Sequence, residues 1–354
     1  MKKVLCFAAA ALVLFAGCQK TTVVYDNYTP EEISFVAANQ TATKTPVDGA
    51  AFRDTDNMAV AAYIVNGSTA DGNFFGYTLF EKTSDHIWSG IHARYWPLTT
   101  STINFLAVTE IGGGVDKTTV TFDNPYASGA EVELNGNNVL NQNDLMFAAG
   151  TGTHTEGGAY NAVPMVFKHA LSWINFNVKT GTPSIDGGKG CEIKINSITL
   201  NGAAFNGTLR LQNGKYNEET ANTTDEVIAT WTTLGTANLA VPNAGGTAAE
   251  AVVLDDSFEP FGNGLLVIPG TETSFTINYT LKQSDNTVNT YDYTYIPQTP
   301  GTWEMAKKYT YAITITLQEI KVNPTVTPWD DTDEKGTPDD TNDDEPWGDE
   351  VHLG

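Results

Sequence analysis

Between residues 30 and 329, alternation of apolar and polar side chains with a period of two recurs, and helical spacing is hard to find. A period of two sends successive side chains to opposite faces of an extended chain, the pattern of strands with one buried face. In Trp173–Lys179, the side chains of Ile174, Phe176 and Val178 point one way and those of Asn175, Asn177 and Lys179 the other. Phe275, Ile277, Tyr279 and Leu281 alternate with Thr276, Asn278 and Thr280, while Tyr309, Tyr311, Ile313, Ile315 and Leu317 form a longer row. Both predict strands with one wet face. Within Glu192–Leu200 the apolar positions pass from odd (Ile193, Ile195) to even (Ile198, Leu200). One inserted residue changes parity in this way, so a β-bulge is predicted at Asn196-Ser197.

Turn chemistry separates the predicted strands. Asn66-Gly67, Asn135-Gly136, Asn201-Gly202, Asn206-Gly207 and Asn213-Gly214 all supply positive φ at low cost. The Gly- and Thr-rich stretch Ala149–Asn161 carries no apolar pattern and divides the body roughly in half. The chain is therefore expected to be all-β, with one antiparallel β-sandwich over residues 31–160 and a second over 161–329.

The start of the chain has a different pattern. Lys2 and Lys3 precede an apolar run from Val4 to Phe15, too short to span a bilayer as a helix but suited to a secretion signal over residues 1–17. Leu14-Phe15-Ala16-Gly17-Cys18 resembles the lipobox of bacterial lipoproteins, although Phe15 stands where Leu is usual. That resemblance implies a diacylglyceryl group on the Cys18 thiol, with residues 18–30 as a lipidated linker. The alternative is an ordinary signal peptide that contains Cys18. Once Cys6 leaves with the signal and Cys18 is acylated, only Cys191 remains, so no intramolecular disulfide forms. Cys191 is expected to be a small buried apolar residue.

Charge narrows the partners. The chain has 19 basic and 42 acidic residues, a formal charge of −23, which argues against nucleic acid because phosphate binding needs basic surface. Many of the acidic residues lie between Asp330 and Glu350, where Lys335 is the only basic one. Such a segment repels itself and buries little, which predicts an extended tail over residues 330–354.

Recognisable catalytic chemistry is missing. The sequence holds no Gly-x-Ser-x-Gly elbow, His-Glu-x-x-His pair, Cys-x-x-Cys pair or phosphate loop, so the chain is not expected to be an enzyme and no cofactor is assigned. Gly112-Gly113-Gly114 leads into a strand-like stretch instead of a helix N-terminus and is expected to be a loop. His86, His92, His154, His169 and His352 are scattered without metal-ligand spacing, and no metal site is assigned. Asp255, Asp256 and Glu259 are expected to be solvated loop carboxylates, not a glycosidase pair. In the tail, Asp331–Gly336 has the outline of a calcium loop, but Lys335 occupies a ligand position. Tyr291, Tyr293 and Tyr295 share one strand face, where they either fill a core or stack on sugar rings.

Several segments taken in order resemble the fimbrillin family, the subunits and accessory proteins of pili on Gram-negative bacteria. They are Glu32–Val36, Arg94-Tyr95-Trp96-Pro97 leading into Ile103–Ala107, Asp144–Ala148, Phe167–Leu171, and Lys308–Tyr311 leading into Val326–Trp329. The resemblance implies two tandem transthyretin-like β-sandwiches and assembly by donor-strand exchange. A lipoprotein precursor at the outer membrane is cut after a basic residue in the first loop, its first strand leaves with the lipid, and a strand from a neighbouring subunit fills the groove. On this chain the exchanged strand is the one holding Ile33 and Phe35, and Lys44 and Arg53 are the candidate cleavage sites, Lys44 ranking first by its spacing. Candidate donor residues are Val322 and Val326 in the last patterned strand, or Val351 and Leu353 in the tail. The partners implied are other pilus subunits, the outer membrane before maturation, and a surface glycan or protein as adhesion ligand. Two rivals stay open: a lipid-anchored glycan-binding or anchor protein that is never cleaved, and, least favoured, a glycan hydrolase.

Overall fold

The structure is a computed structural model that describes residues 31–39, 57–66, 69–84, 87–111, 130–134, 144–155, 161–181, 191–213, 227–243, 248–317 and 319–329. Among the described residues every regular element is a strand, so the fold is all-β. The first eight are β1 (Ser34–Asn39), β2 (Asn57–Asn66), β3 (Thr69–Ser84), β4 (Ile87–Gly90), β5 (Ser101–Ile111), β6 (Ala130–Leu134), β7 (Asp144–His154) and β8 (Val163–His169). All but β6 close on themselves in the order β1-β4-β3-β2-β5-β7-β8, a barrel in which β1 joins β8 in parallel. β8 follows the Gly- and Thr-rich stretch yet belongs to the barrel, and the second half begins after Ala170-Leu171.

The second half contains β9 (Ser172–Thr180), β10 (Glu192–Asn213), β11 (Val227–Ala240), β12 (Val252–Val253), β13 (Glu259–Pro260), β14 (Leu265–Val267), β15 (Gly270–Thr271), β16 (Phe275–Lys282), β17 (Val288–Tyr295), β18 (Thr302–Trp303), β19 (Lys307–Ile315) and β20 (Ile320–Pro328). One sheet runs β11-β10-β16-β17 and another β13-β9-β19-β20, with β9 and β19 parallel. Their inner faces meet through aromatic edges: Phe275 lies 5.0 Å from Phe176 and 5.2 Å from Tyr311. The predicted bulge is present, since the β10–β16 register skips a residue between Ile195 and Ser197. The Asn196 side chain fills the gap by donating to Asn278 Oδ1 at 2.9 Å and Thr280 Oγ1 at 2.7 Å.

Strands β2, β5 and β7 are apolar on both faces, for a reason visible in the packing. Met58, Val60, Ala62, Phe105, Ala107, Met146 and Ala148 fill the barrel. Their sequence neighbours Ala59, Tyr63, Leu106, Val108, Leu145 and Phe147 join the core of the second half. A strand sandwiched between two cores has no wet face, so its sequence loses alternation and reads as a continuous apolar run. Trp231 of β11 adds a polar tie, its Nε1 donating to the Ala170 carbonyl at 2.7 Å.

A buried carboxylate organises the second half. Glu272 accepts from the Tyr311 hydroxyl at 2.7 Å and from the Gly301 amide at 2.9 Å, while Trp303 Nε1 donates to the Tyr311 oxygen at 3.1 Å. Every polar atom in this cluster therefore has a partner, the condition for burying a charge without a large penalty. Burial, then the Glu272 charge, holds the Tyr311 hydroxyl well above the ordinary tyrosine range. Nearby, Gly264 has φ +67°, and a Cβ there would lie 2.6 Å from the Ile174 carbonyl oxygen, so the turn over β9 requires glycine. Cys191 differs from expectation: it is half-buried, because it sits just ahead of β10 and outside the sandwich interior.

Candidate functional site

Ile33 and Phe35 are both 0% exposed, and the segment that carries them forms an interior strand of the barrel. On one side Ser34, Phe35 and Val36 pair antiparallel with Ser89, Trp88 and Ile87 of β4. On the other, Phe35–Asn39 pairs in parallel with Val163–Phe167 of β8. Both backbone edges of β1 are thus engaged. The Phe35 ring stands edge-on to Phe80 at 4.8 Å and to Phe105 at 5.0 Å, the T-shaped geometry that places a positive ring edge on a negative ring face. Burying each of these two side chains stabilises the barrel by about 1.5–3 kcal/mol.

A clasp formed by Arg94-Tyr95-Trp96 fixes where β1 begins. The Arg94 carbonyl accepts from the Ile33 amide at 2.6 Å, and Tyr95 bridges to Glu32. The Arg94 side chain donates to Thr78 Oγ1 at 3.2 Å, with its guanidinium 5.5 Å from the Phe75 ring centroid. Trp96 is buried edge-on to Phe105 at 6.2 Å and stacked with His154, whose Nδ1 lies 2.9 Å from the Thr99 carbonyl oxygen. In the sequence this motif stands out only as part of a resemblance; its placement against β1 comes from the three-dimensional arrangement. Nothing in the sequence marks Phe80 and Trp88 as β1 partners, because neither lies in a clean alternating row.

The connection from β1 to β2 spans residues 40–56, so Lys44 and Arg53 lie outside the described residues, as do Cys18, Val351 and Leu353. Val322 and Val326 belong to β20, paired with Ile313 and Tyr309 of β19. Val322 is 2% exposed and Val326 half-buried. Trp329, just beyond β20, stacks on His169 at 3.7 Å, and His169 Nδ1 lies 2.8 Å from Asp144 Oδ2. β20 is thereby held along its length and at its end.

The other sequence candidates are not assembled into a site. Tyr295 is 3% exposed, Tyr293 half-buried and Tyr291 43% exposed and stacked with Tyr279 at 5.5 Å, so the row passes from core to surface and offers no flat platform of three rings. The Asp255 carboxylate caps its own loop by accepting from the Ser257 amide at 2.8 Å, and Glu259 pairs with Val178 in β13. No group of three His, Cys, Asp or Glu side chains among the described residues is placed to hold a metal ion.

Comparison with known proteins places this geometry in context. A fimbrillin-like family model matches residues 42–329. Among solved structures, a fimbrial protein from Bacteroides vulgatus superposes with a TM-score of 0.56 at 17% identity, covering 84% of this chain and 99% of that one. A proposed cell adhesion protein from Bacteroides ovatus gives 0.53 at 13% identity, covering 86% and 99%. The fimbrial anchor protein Mfa2 from Porphyromonas gingivalis gives 0.37 at 12% identity, covering 85% and 98%. No curated protein sequence matches the chain. With four-fifths of its length matched, the chain belongs to the fimbrillin-like family, which comprises structural and adhesive proteins of fimbriae and not enzymes.

Proposed function

We propose that this protein is a pilus component that assembles on the outer membrane by exchanging β1 for a strand of a neighbouring subunit. In this reading the leader directs export, Cys18 carries the lipid, and cleavage at Lys44 or Arg53 severs β1 from the rest of the barrel. The observation that carries it is the seat of β1: an N-terminal strand paired on both sides, with Ile33 and Phe35 fully buried, and joined to β2 through the segment that holds both basic residues. Once cut, β1 is held by non-covalent contacts alone. Its departure leaves the facing edges of β4 and β8 unpaired and uncovers Phe80 and Phe105, a slot that captures an extended chain with apolar residues two positions apart.

The donor requirements favour the tail over β20. Val351 and Leu353 repeat the two-residue spacing of Ile33 and Phe35. Val322 and Val326 become available only if β20 gives up its nine paired positions with β19 and the Trp329 stack. Pro324 also lacks the amide that an interior strand needs.

N-terminal sequencing and mass spectrometry of the protein recovered from the cell surface test this reading. The expected mature chain starts at residue 45 or 54, and Lys44→Ala combined with Arg53→Ala leaves an unprocessed lipoprotein that does not polymerise. Recovery of only the intact chain within assembled pili would refute processing and leave the uncleaved anchor reading in its place.

A further inference from the structure

A closed barrel has no free strand edge, but the sheets of the second half have several. An unpaired edge is a template for another chain unless charge, proline, a bulge or brevity defends it. β20 is defended by Lys321, Pro324 and Pro328. At the centre of β17 stands Asp292, which accepts from Asn278 Nδ2 at 2.7 Å. The β6 sequence contains Glu131 and Glu133, while β12, β13, β15 and β18 have two residues each and β14 three.

β11 differs from all of these. Its 14 residues include neither a charged side chain nor a proline, and among the described residues it pairs with β10 alone. Its register with β10 shifts at three places, all between Leu239 and Thr233, the last of them a bulge at Leu234, 59% exposed, where Thr233 and Gly235 pair with the adjacent Gly207 and Asn206. Ahead of that bulge, Val227–Thr233 pairs residue for residue with β10, a regular run whose Thr230, Thr232 and Thr233 are exposed. The bond from Trp231 to Ala170 fixes this run against the body of the molecule, so little backbone entropy remains to be lost when it acquires a partner.

We propose that β11 is a homotypic docking edge, on which a second copy of this chain lays its own β11 antiparallel about a two-fold axis. Charge selects the occupant. At −23, two copies repel wherever their acidic surfaces meet, and a strand without charge is where they approach at least cost. A basic partner would settle on carboxylates, and this edge has none. Two identical strands related by a two-fold axis are complementary by construction, each outward N–H meeting a C=O of the other, with threonine opposite threonine a favourable cross-strand pair. The contact uses a surface remote in sequence from β1 and forms with or without cleavage, so it stands independently of strand exchange.

Sedimentation of the full-length chain carrying Cys18→Ala, so that no acyl chain drives association, tests the proposal in the presence of reductant. A concentration-dependent dimer is expected, and it tightens with added salt as screening removes the repulsion between copies. Thr232→Lys is expected to weaken it at least tenfold, whereas Thr290→Lys, a change at an exposed threonine of β17, leaves it unaltered; circular dichroism confirms that both variants are folded. Thr230→Lys replaces Thr232→Lys if the latter unfolds. Hydrogen exchange is expected to show protection of Val227–Thr233 that increases with protein concentration. A monomer at every concentration and salt level overturns the proposal, as does a dimer that the β11 variants leave intact or one that loosens with salt.

Discussion

Phe35 makes two edge-on ring contacts from a position with no exposure, so the Phe35→Ala variant loses both its transfer energy and its packing partners. Large-to-small changes of this kind cost about 3–5 kcal/mol. Chemical denaturation of the uncut chain should show that loss, and an Ile33→Val control should show roughly 0.5–1.5 kcal/mol. Tyr311 is a second sensitive position. Replacing it with phenylalanine leaves Glu272 and Trp303 short of a partner and should destabilise by about 1–3 kcal/mol at neutral pH. Its raised pKa has a further consequence: the folded state holds the phenolic proton more tightly than the unfolded chain does. The associated stability is complete below the ordinary value of 10.0 and is lost as pH rises through the higher folded value. Tyr279, Tyr293 and Tyr309 are raised in the same direction, chiefly by burial, and contribute with the same sign. Melting temperatures should therefore fall steeply with pH above about 10, and less steeply in the Tyr311→Phe variant.

At the scale of elements, legibility in the sequence follows from how many faces a strand buries. β16 and β19 bury one face more deeply than the other, and β9 does so from Phe176 onward, so their alternation can be read directly from Ile174-Phe176-Val178, Phe275-Ile277 and Tyr309-Tyr311-Ile313. The bulge in β10 is equally legible, because an inserted residue must shift parity. β2 and β7 are less so: Met58–Tyr63 and Leu145–Ala148 are apolar throughout, and nothing in such a run says which residues face the barrel and which the second half. The seat of β1 was only half legible. Ile33 and Phe35 could be assigned to a buried face from their spacing, but the parallel pairing with β8 joins segments far apart in sequence, and no local pattern encodes it. The Arg94 clasp escaped for a similar reason, since its contact with Ile33 is made by a backbone carbonyl that carries no residue signature.

For the whole molecule, the double-faced strands make the two halves interdependent. Tyr63, Leu106, Val108, Leu145 and Phe147 project from the barrel into the core of the second half, so a barrel expressed alone as residues 31–169 would present them to water. An apolar patch of this kind drives association. That fragment should bind a hydrophobic dye and aggregate where the full-length chain does not, as light scattering would show; a soluble, dye-negative fragment would mean that the halves fold separately. β6 reinforces the dependence by leaving the first half of the sequence to pair with β10 in the second.

The parallel seam between β1 and β8 also sets a timetable. β1 is among the earliest parts of the chain to be synthesised, yet one of its two neighbours arrives only after every other barrel strand, and a contact between such distant segments is slow to form. Each newborn molecule must therefore wait with its opening strand unaccommodated until the closing one has been delivered. A foreign segment that arrives within that interval finds the berth of β1 between β4 and β8 unclaimed.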